Sequence, residues 1–383
     1  MTAPRFLRLL GCLLLSGLAA SAAARPNPFS TAGFSAKPAP RSPVVAADGS
    51  IAFAFRAPGA REVRLSFGEW SPRPLALTRD ADGWWTGRIA GVAPGIHEYV
   101  FLVDGTPAID PLNPRIKAGT LVYSSTVEVP DTPPRFDAIQ DVPHGAEHIL
   151  RYRSSSQHRF QTLHVHLPAA YAAEPARRFP VLYLRHGGGD DDHSWMQDGR
   201  AGVILDNLLA AGAAEPMIIV TTNGMTDGTW AHSSSVEGMQ LLEDELLQDV
   251  IPLIERSYRT VPDRDHRALA GLSMGGGQAF VIGLRQLPAF AWIAQFSSGL
   301  LADKDLDLLA WAPALRDPAA VNRQLHLLWL GCGDLDPRWN GHLNLMDQLH
   351  ERGVTAEFHP SAGGHEWSVW RDQLRQLLPK LFK

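Results

Sequence analysis

The stretch "GLSMGGG", residues 271–277, sets a serine between glycines two positions away on either side, Gly271-x-Ser273-x-Gly275. A hydroxyl in that frame is suited to attack a carbonyl carbon. The preceding "HRALA" reads as a strand and the following "GGGQAFVIGL" as a helix, so the serine is predicted to sit on a tight strand-to-helix turn. Side chains two positions either side of such a turn would collide, which accounts for the glycines. The turn exposes the hydroxyl at a helix N-terminus, where developing negative charge is favoured. The pattern alone is also that of a plain glycine-rich turn; the strand–turn–helix context carries the chemical reading.

A nucleophilic serine needs a base, an acid behind the base, and donors for the oxyanion. One donor is predicted to be the backbone N–H of Met274. The other is predicted in the glycine loop of "YLRHGGGDDD", with Gly188 first and Gly189 next, because that loop ends an apolar strand upstream. His186 is read as shaping this loop. In the chain order Ser…acid…His, "GCGDLDPRW" offers Asp334 and Asp336 after one strand, and "GGHEW" offers His365 after the next. His359 lies within a strand and is read as packing. His342 and His350 fall in a helical stretch and are read as surface residues. Glu366, adjacent to His365, is read as anchoring its loop.

Other candidates carry less. "DDDH", 190–193, is read as a solvated acidic loop at the site rim, and His164 and His166, on one strand face, are two histidines without further ligands. The chemistry therefore calls for no metal and no cofactor. Trp195, Trp230 and Trp367 each lie in a loop near a strand end and are expected to line the substrate pocket.

The elements that must position these residues follow from patterning. The apolar segments at 180–189, 216–224, 266–271, 292–298, 325–333 and 356–364 read as strands, with helical periodicity between them. Alternation of this kind predicts a mostly parallel sheet covered by helices on both faces, over 149–383. Residues 44–130 differ: short alternating runs between Gly, Pro and Asp turns predict a small all-β sandwich. Residues 131–148 read as the linker. Residues 1–24, with Arg5 and Arg8 before an apolar run and "SAAA", read as an export signal cut after Ala24, and 25–43 as a flexible leader. The alternative, a lipoprotein site at Cys12, places the cysteine too near the start of the apolar run. The expected location is secreted or periplasmic, with no membrane span. Removing the signal leaves only Cys332, so the mature chain is expected to form no intrachain disulfide. A net charge of −5 offers no basic surplus for nucleic acid or anionic lipid.

Taken together, "VLYLRHGGGDDDHSW", "RALAGLSMGGGQAF", "LGCGDLD" and "GGHEWSVWRDQL" resemble the secreted esterase-D-like branch of the α/β hydrolases, the family of feruloyl, acetylxylan and enterochelin esterases. The resemblance covers roughly residues 145–383. It implies Ser273 as nucleophile, Asp336 as acid and His365 as base; Asp336 is preferred over Asp334 because the family's acid lies three residues after a strand-end glycine, here Gly333. Arg185 departs from the family, which has an apolar residue before His-Gly. The region "GWWTGRIAGVAPGIHEYVFLVDG" resembles the immunoglobulin-like modules ahead of glycogen-branching enzymes, which makes Trp70, Trp84 and Trp85 candidates for sugar stacking or for sandwich core. The expected activity is removal of acetyl or feruloyl groups from acylated oligo- or polysaccharide such as xylan. The alternatives are a siderophore trilactone esterase and, in a different class, a carbohydrate-binding protein with a degenerate hydrolase domain.

Overall fold

The computed structural model describes residues 40–69, 72–117, 119–120, 124–226 and 228–383. The expected export signal, nearly all of the leader and Trp70 lie outside the described residues.

Eight strands form the large sheet: β1 (Ala146–Arg153), β2 (Phe160–Leu167), β3 (Val181–Arg185), β4 (Ile218–Thr222), β5 (Arg267–Leu272), β6 (Trp292–Phe296), β7 (Leu327–Gly333) and β8 (Glu357–Ser361), in the order β1-β2-β4-β3-β5-β6-β7-β8. From β4 to β8 every pairing is parallel. The inner strands β3 to β7 are nearly continuous apolar runs because both faces are covered, whereas β8, at the edge, is half-exposed. Val181, Tyr183, Leu269 and Leu328 pack on one side with Leu242, Ile254 and Phe280 from helices. Leu182, Leu184, Ala268 and Ala270 face the other side, against Ile204, Leu205, Trp370 and Leu374. This is the mostly parallel sheet covered on both faces that the patterning predicts, and the α/β-hydrolase arrangement that the resemblance implies.

The first two strands are antiparallel additions to the parallel sheet. The sequence shows a strand face at His164 and His166 but gives no sign of the antiparallel partner. β1 is the sheet edge and mostly exposed, so it lacks the apolar run that marks the inner strands. It begins at Ala146, inside the stretch read as linker. The middle of that stretch is held against the large domain: Asn207 donates to the carbonyls of Phe136 and Ala138, both at 2.9 Å. Arg371 reaches Asp137 at 3.0 Å and the Asp198 carbonyl at 2.7 Å, with Arg371 and Asp137 almost fully buried. Removing one partner of a buried ion pair leaves the other charge desolvated and costs about 3–5 kcal/mol. Asp137 keeps Arg135 at 3.0 Å, so Arg371→Ala is expected to lower the unfolding free energy by about 3 kcal/mol, the lower end of that range, read from urea denaturation.

Ahead of the linker, two sheets form a sandwich. One contains Ile51–Arg56 and Trp84–Ile89, the other Val63–Phe67, Gly95–Val103 and Ser124–Val129. Phe53, Leu65, Tyr99 and Phe101 fill the space between them, with Phe53 edge-on to Tyr99 at 4.9 Å. Trp85 belongs to this core, its indole N–H held by the Ala57 carbonyl at 2.9 Å. It is therefore unavailable for sugar stacking, whereas Trp84 is half-buried. Among the described residues no helix is long and apolar enough to cross a membrane.

Candidate active site

β5 runs directly into the helix Met274–Arg285, and Ser273 takes the corner with φ 50° and ψ −114°. A non-glycine residue there is strained and must be held by its surroundings. One restraint is its own amide, which donates to the Phe296 carbonyl at 2.7 Å. The flanking glycines are required by close approach of backbone. A Cβ on Gly271 would lie 2.3 Å from the Gly275 carbonyl oxygen, and one on Gly275 would lie 2.4 Å from that of His186.

The Ser273 hydroxyl lies 3.1 Å from His365 Nε2, and His365 Nδ1 lies 2.8 Å from Asp336 Oδ2. Asp336 is buried and also accepts from the Arg338 amide at 2.9 Å. Burial pushes its carboxyl up, but the His365 hydrogen bond and charge and the Arg338 amide outweigh that and hold it below the usual carboxylate range. The neighbouring acids face elsewhere. Asp334 accepts from the Gly363 amide at 2.9 Å, and Glu366 Oε1 from the Gly364 amide at 3.4 Å. Both brace the loop that presents His365. Gly363 has φ 121°, and Gly333 must be glycine because its Cβ would meet the Gly363 carbonyl oxygen at 2.3 Å. The Trp370 ring stands edge-on beneath His365 at 4.8 Å and sets its plane. Trp370 was not singled out from sequence, although Trp367, Trp370, Leu374 and Leu377 mark one apolar face of a helix.

Gly188 and Met274 line a cavity of about 630 Å³ together with Trp230, Leu300, Arg338 and His365 around Ser273. A cavity of that size is in the range that takes a drug-sized ligand. The loop bearing Gly188 is fixed at both sides. His186 Nε2 accepts from the Gly224 amide at 2.8 Å, and the Gly189 carbonyl accepts from Thr120 of the sandwich at 3.0 Å. Arg185, just before it, is buried, and burial pulls its pKa below the usual value. It donates to the Leu242 carbonyl at 3.2 Å and to Gln278 at 3.4 Å, tying the loop's root to the helix after Ser273.

Three expectations are corrected by burial. Trp230 is 64% exposed and lines the cavity, but Trp195 is 0% and Trp367 2% exposed. Trp195 packs edge-on against Trp367 at 5.2 Å, and its N–H is held by the Arg185 carbonyl at 2.9 Å, so both rings are core beneath the site. Neither lines the cavity at Ser273. "DDDH" is not a solvated rim: Asp190 and Asp192 are buried. His342 is a core residue, bonded to the Arg338 carbonyl at 2.9 Å.

The sandwich also reaches Ser273 and His365. A smaller cavity of about 180 Å³ behind Ser273 and His365 is lined by Glu69 and Lys117 of the sandwich and by Asp190. Glu69 accepts from the Trp367 amide at 3.2 Å. Burial, reinforced by Glu98, pushes its carboxyl up to about 8. Lys117 lies 3.1 Å from Glu98; burial pulls its ammonium down, and Glu98 and Glu69 more than reverse this, so it stays charged. No local signal marks these residues, because the contact joins segments far apart in sequence.

The esterase family model matches residues 154–381. An endo-1,4-beta-xylanase/feruloyl esterase of Xylanibacter ruminicola is 32% identical over 364 residues, 94% of this chain and 47% of that protein. An esterase of Mycobacterium tuberculosis is 34% identical over 165 residues, 40% of this chain and 35% of its own length. The chain thus spans about half or less of these curated relatives. Among solved structures, a ferulic acid esterase superposes with a TM-score of 0.53 at 25% identity, covering 62% of this chain and 97% of that one. An enterobactin esterase from Shigella flexneri superposes with a TM-score of 0.63 over 87% of this chain and 93% of that one, at 18% identity, a likeness of fold.

Proposed function

Because the chain belongs to the esterase family, we propose that it is a serine carboxylic-ester hydrolase that works through an acyl-enzyme and removes acetyl or feruloyl groups from xylan-type polysaccharide. The observation that carries this reading is the unbroken hydrogen-bond chain Ser273–His365–Asp336 on the wall of an open cavity. The polysaccharide assignment is supported by the relative whose name joins xylanase and feruloyl esterase and by the likeness to a ferulic acid esterase.

In the first half-reaction Ser273 Oγ attacks the ester carbonyl carbon while its proton passes to His365 Nε2. Asp336 accepts from Nδ1–H throughout, which fixes the tautomer with a lone pair on Nε2 and stabilises the imidazolium that forms. The carbonyl oxygen, now an oxyanion, is held by the amides of Met274 and Gly188, the former at the first turn of a helix where the dipole adds to the hydrogen bond. Collapse breaks the bond to the leaving oxygen, and His365 returns the proton to that alcohol. Water then repeats the sequence on the acyl-serine and releases the acid.

A substrate comparison tests the reading. Acetylated xylan or methyl ferulate is expected to turn over, and enterobactin is not. Trp230 is the aromatic surface at the cavity mouth. Its loss should remove an aromatic contact of about 0.5–1.5 kcal/mol. Trp230→Ala is therefore expected to raise KM for methyl ferulate about 2- to 12-fold, with p-nitrophenyl acetate little affected. Preference for enterobactin would replace the polysaccharide reading by the siderophore one. Inertness towards all three substrates would sink both.

A further inference from the structure

We propose that Glu147, His164 and His193 form a binding site for a divalent transition-metal ion of the zinc type, which ties the loop bearing Gly188 to the edge of the large sheet. The site is separate from the serine chemistry and does not depend on the proposed substrate.

Three chain segments build it. Glu147 of β1 pairs with His166 of β2, so His164, two residues along, lies diagonally across from Glu147 on the same face. His193 comes from the end of the loop that follows β3, and its ring stacks on that of His164 at 4.7 Å and 19°. Each residue offers one ligand atom, and these atoms lie within 4.8 Å of one another; no other trio among the described residues meets that condition. Glu147 Oε1 is 2.7 Å from His164 Nδ1 and 4.0 Å from His193 Nε2. Around a tetrahedral zinc with bonds near 2.0–2.1 Å, ligand atoms are about 3.3 Å apart. One distance must open and the other close by about 0.7 Å. Both adjustments are rotations of partly exposed side chains, 40% for Glu147 and 43% for His193.

The surroundings suit an ion better than a chance contact does. His164 is buried, and Asp192 Oδ2 stands 3.5 Å from its Nε2. Asp192 is itself held by the Thr162 hydroxyl at 2.5 Å. A carboxylate behind the distal nitrogen is the usual support of a metal-bound histidine: it keeps the proton on that nitrogen and turns the lone pair of the other towards the ion. Without an ion, Nδ1–H donates to Glu147 at 2.7 Å; an ion would replace that proton and take the Nδ1 lone pair. Two imidazoles and one carboxylate select zinc-like cations over calcium or magnesium, which prefer all-oxygen shells. The same loop runs from His186, bonded to the Gly224 amide, through Gly188 and Gly189 to His193. An ion at His193 would therefore add a further tie at the loop's C-terminal end.

The test uses the mature chain freed of metal with a chelator and then dialysed. Titration with zinc is expected to show one saturable site and a rise in Tm, and cobalt in its place a visible absorption band. His193→Ala and Glu147→Gln change partly exposed side chains, so both variants should fold. Each is expected to weaken zinc binding at least about tenfold, the smaller loss known for outer-shell partners. Absence of saturable zinc binding, or wild-type affinity retained in His193→Ala, would overturn the proposal and leave His164 as a buried histidine hydrogen-bonded to Glu147. A Tm response to calcium equal to that to zinc would overturn the imidazole assignment.

Discussion

Ser273→Ala is expected to lower kcat/KM for p-nitrophenyl acetate by about 10⁴- to 10⁶-fold while leaving the urea midpoint within error of the parent. The size follows from what the hydroxyl does. Without it no acyl-enzyme forms, and only water held near the oxyanion donors remains as a nucleophile. The stability half follows from the local backbone. Ser273 sits at φ 50° because its amide is held by the Phe296 carbonyl and because Gly271 and Gly275 approach backbone too closely to allow a Cβ. Alanine keeps both restraints and bears the same strain. A second substitution at His365 should cost little more, since residues acting as one unit are not additive. Retention of full activity in Ser273→Ala would remove the acyl-enzyme mechanism. Inactivity of the parent with intact binding of xylan oligosaccharides would favour a carbohydrate-binding protein.

The site was legible where chemistry imposes a local signature. The glycines around Ser273 are demanded within five residues of chain, and the strand before and helix after it are marked by their own apolar periods. The acid was narrower: two aspartates share one strand end, and side-chain direction alone separates them, with Asp334 turned to the Gly363 amide and Asp336 to the imidazole. Where the sequence misled, the reason is burial set by distant segments. Trp195 and Trp367 lie near strand ends, as pocket residues do, yet each fills space beneath the loops because the helix at the C-terminus brings Trp370 and Leu374 alongside. The acidic run 190–193 looks solvated in one dimension. Its Asp190 and Asp192 are covered because β2 brings Thr162 and His164 against Asp192, and the sandwich brings Lys117 near Asp190. The antiparallel edge is hidden because β1 is exposed and carries no apolar run, and the reach of the sandwich into the site joins segments that no window of sequence contains together.

Asp336→Asn is expected to reduce kcat by about 10⁴-fold, the loss seen when an amide replaces the triad acid and the wrong imidazole tautomer is favoured. The amide can offer N–H to Nδ1, which then places the proton on Nε2 and leaves no lone pair for the Ser273 proton. Glu366→Gln should retain most activity, because its contact is a single 3.4 Å bond to the Gly364 amide that a glutamine carbonyl also accepts. Asp334→Asn keeps an acceptor for the Gly363 amide and is expected to fall nearer Glu366→Gln than Asp336→Asn. The environments agree with that ranking. Asp336 is enclosed and still held below the ordinary carboxylate range, because the His365 hydrogen bond and charge and the Arg338 amide outweigh burial. If Glu366→Gln proves the more damaging change, the acid has been assigned to the wrong side of the imidazole, and the glycine loop, not the end of β7, would be the element that tunes the base.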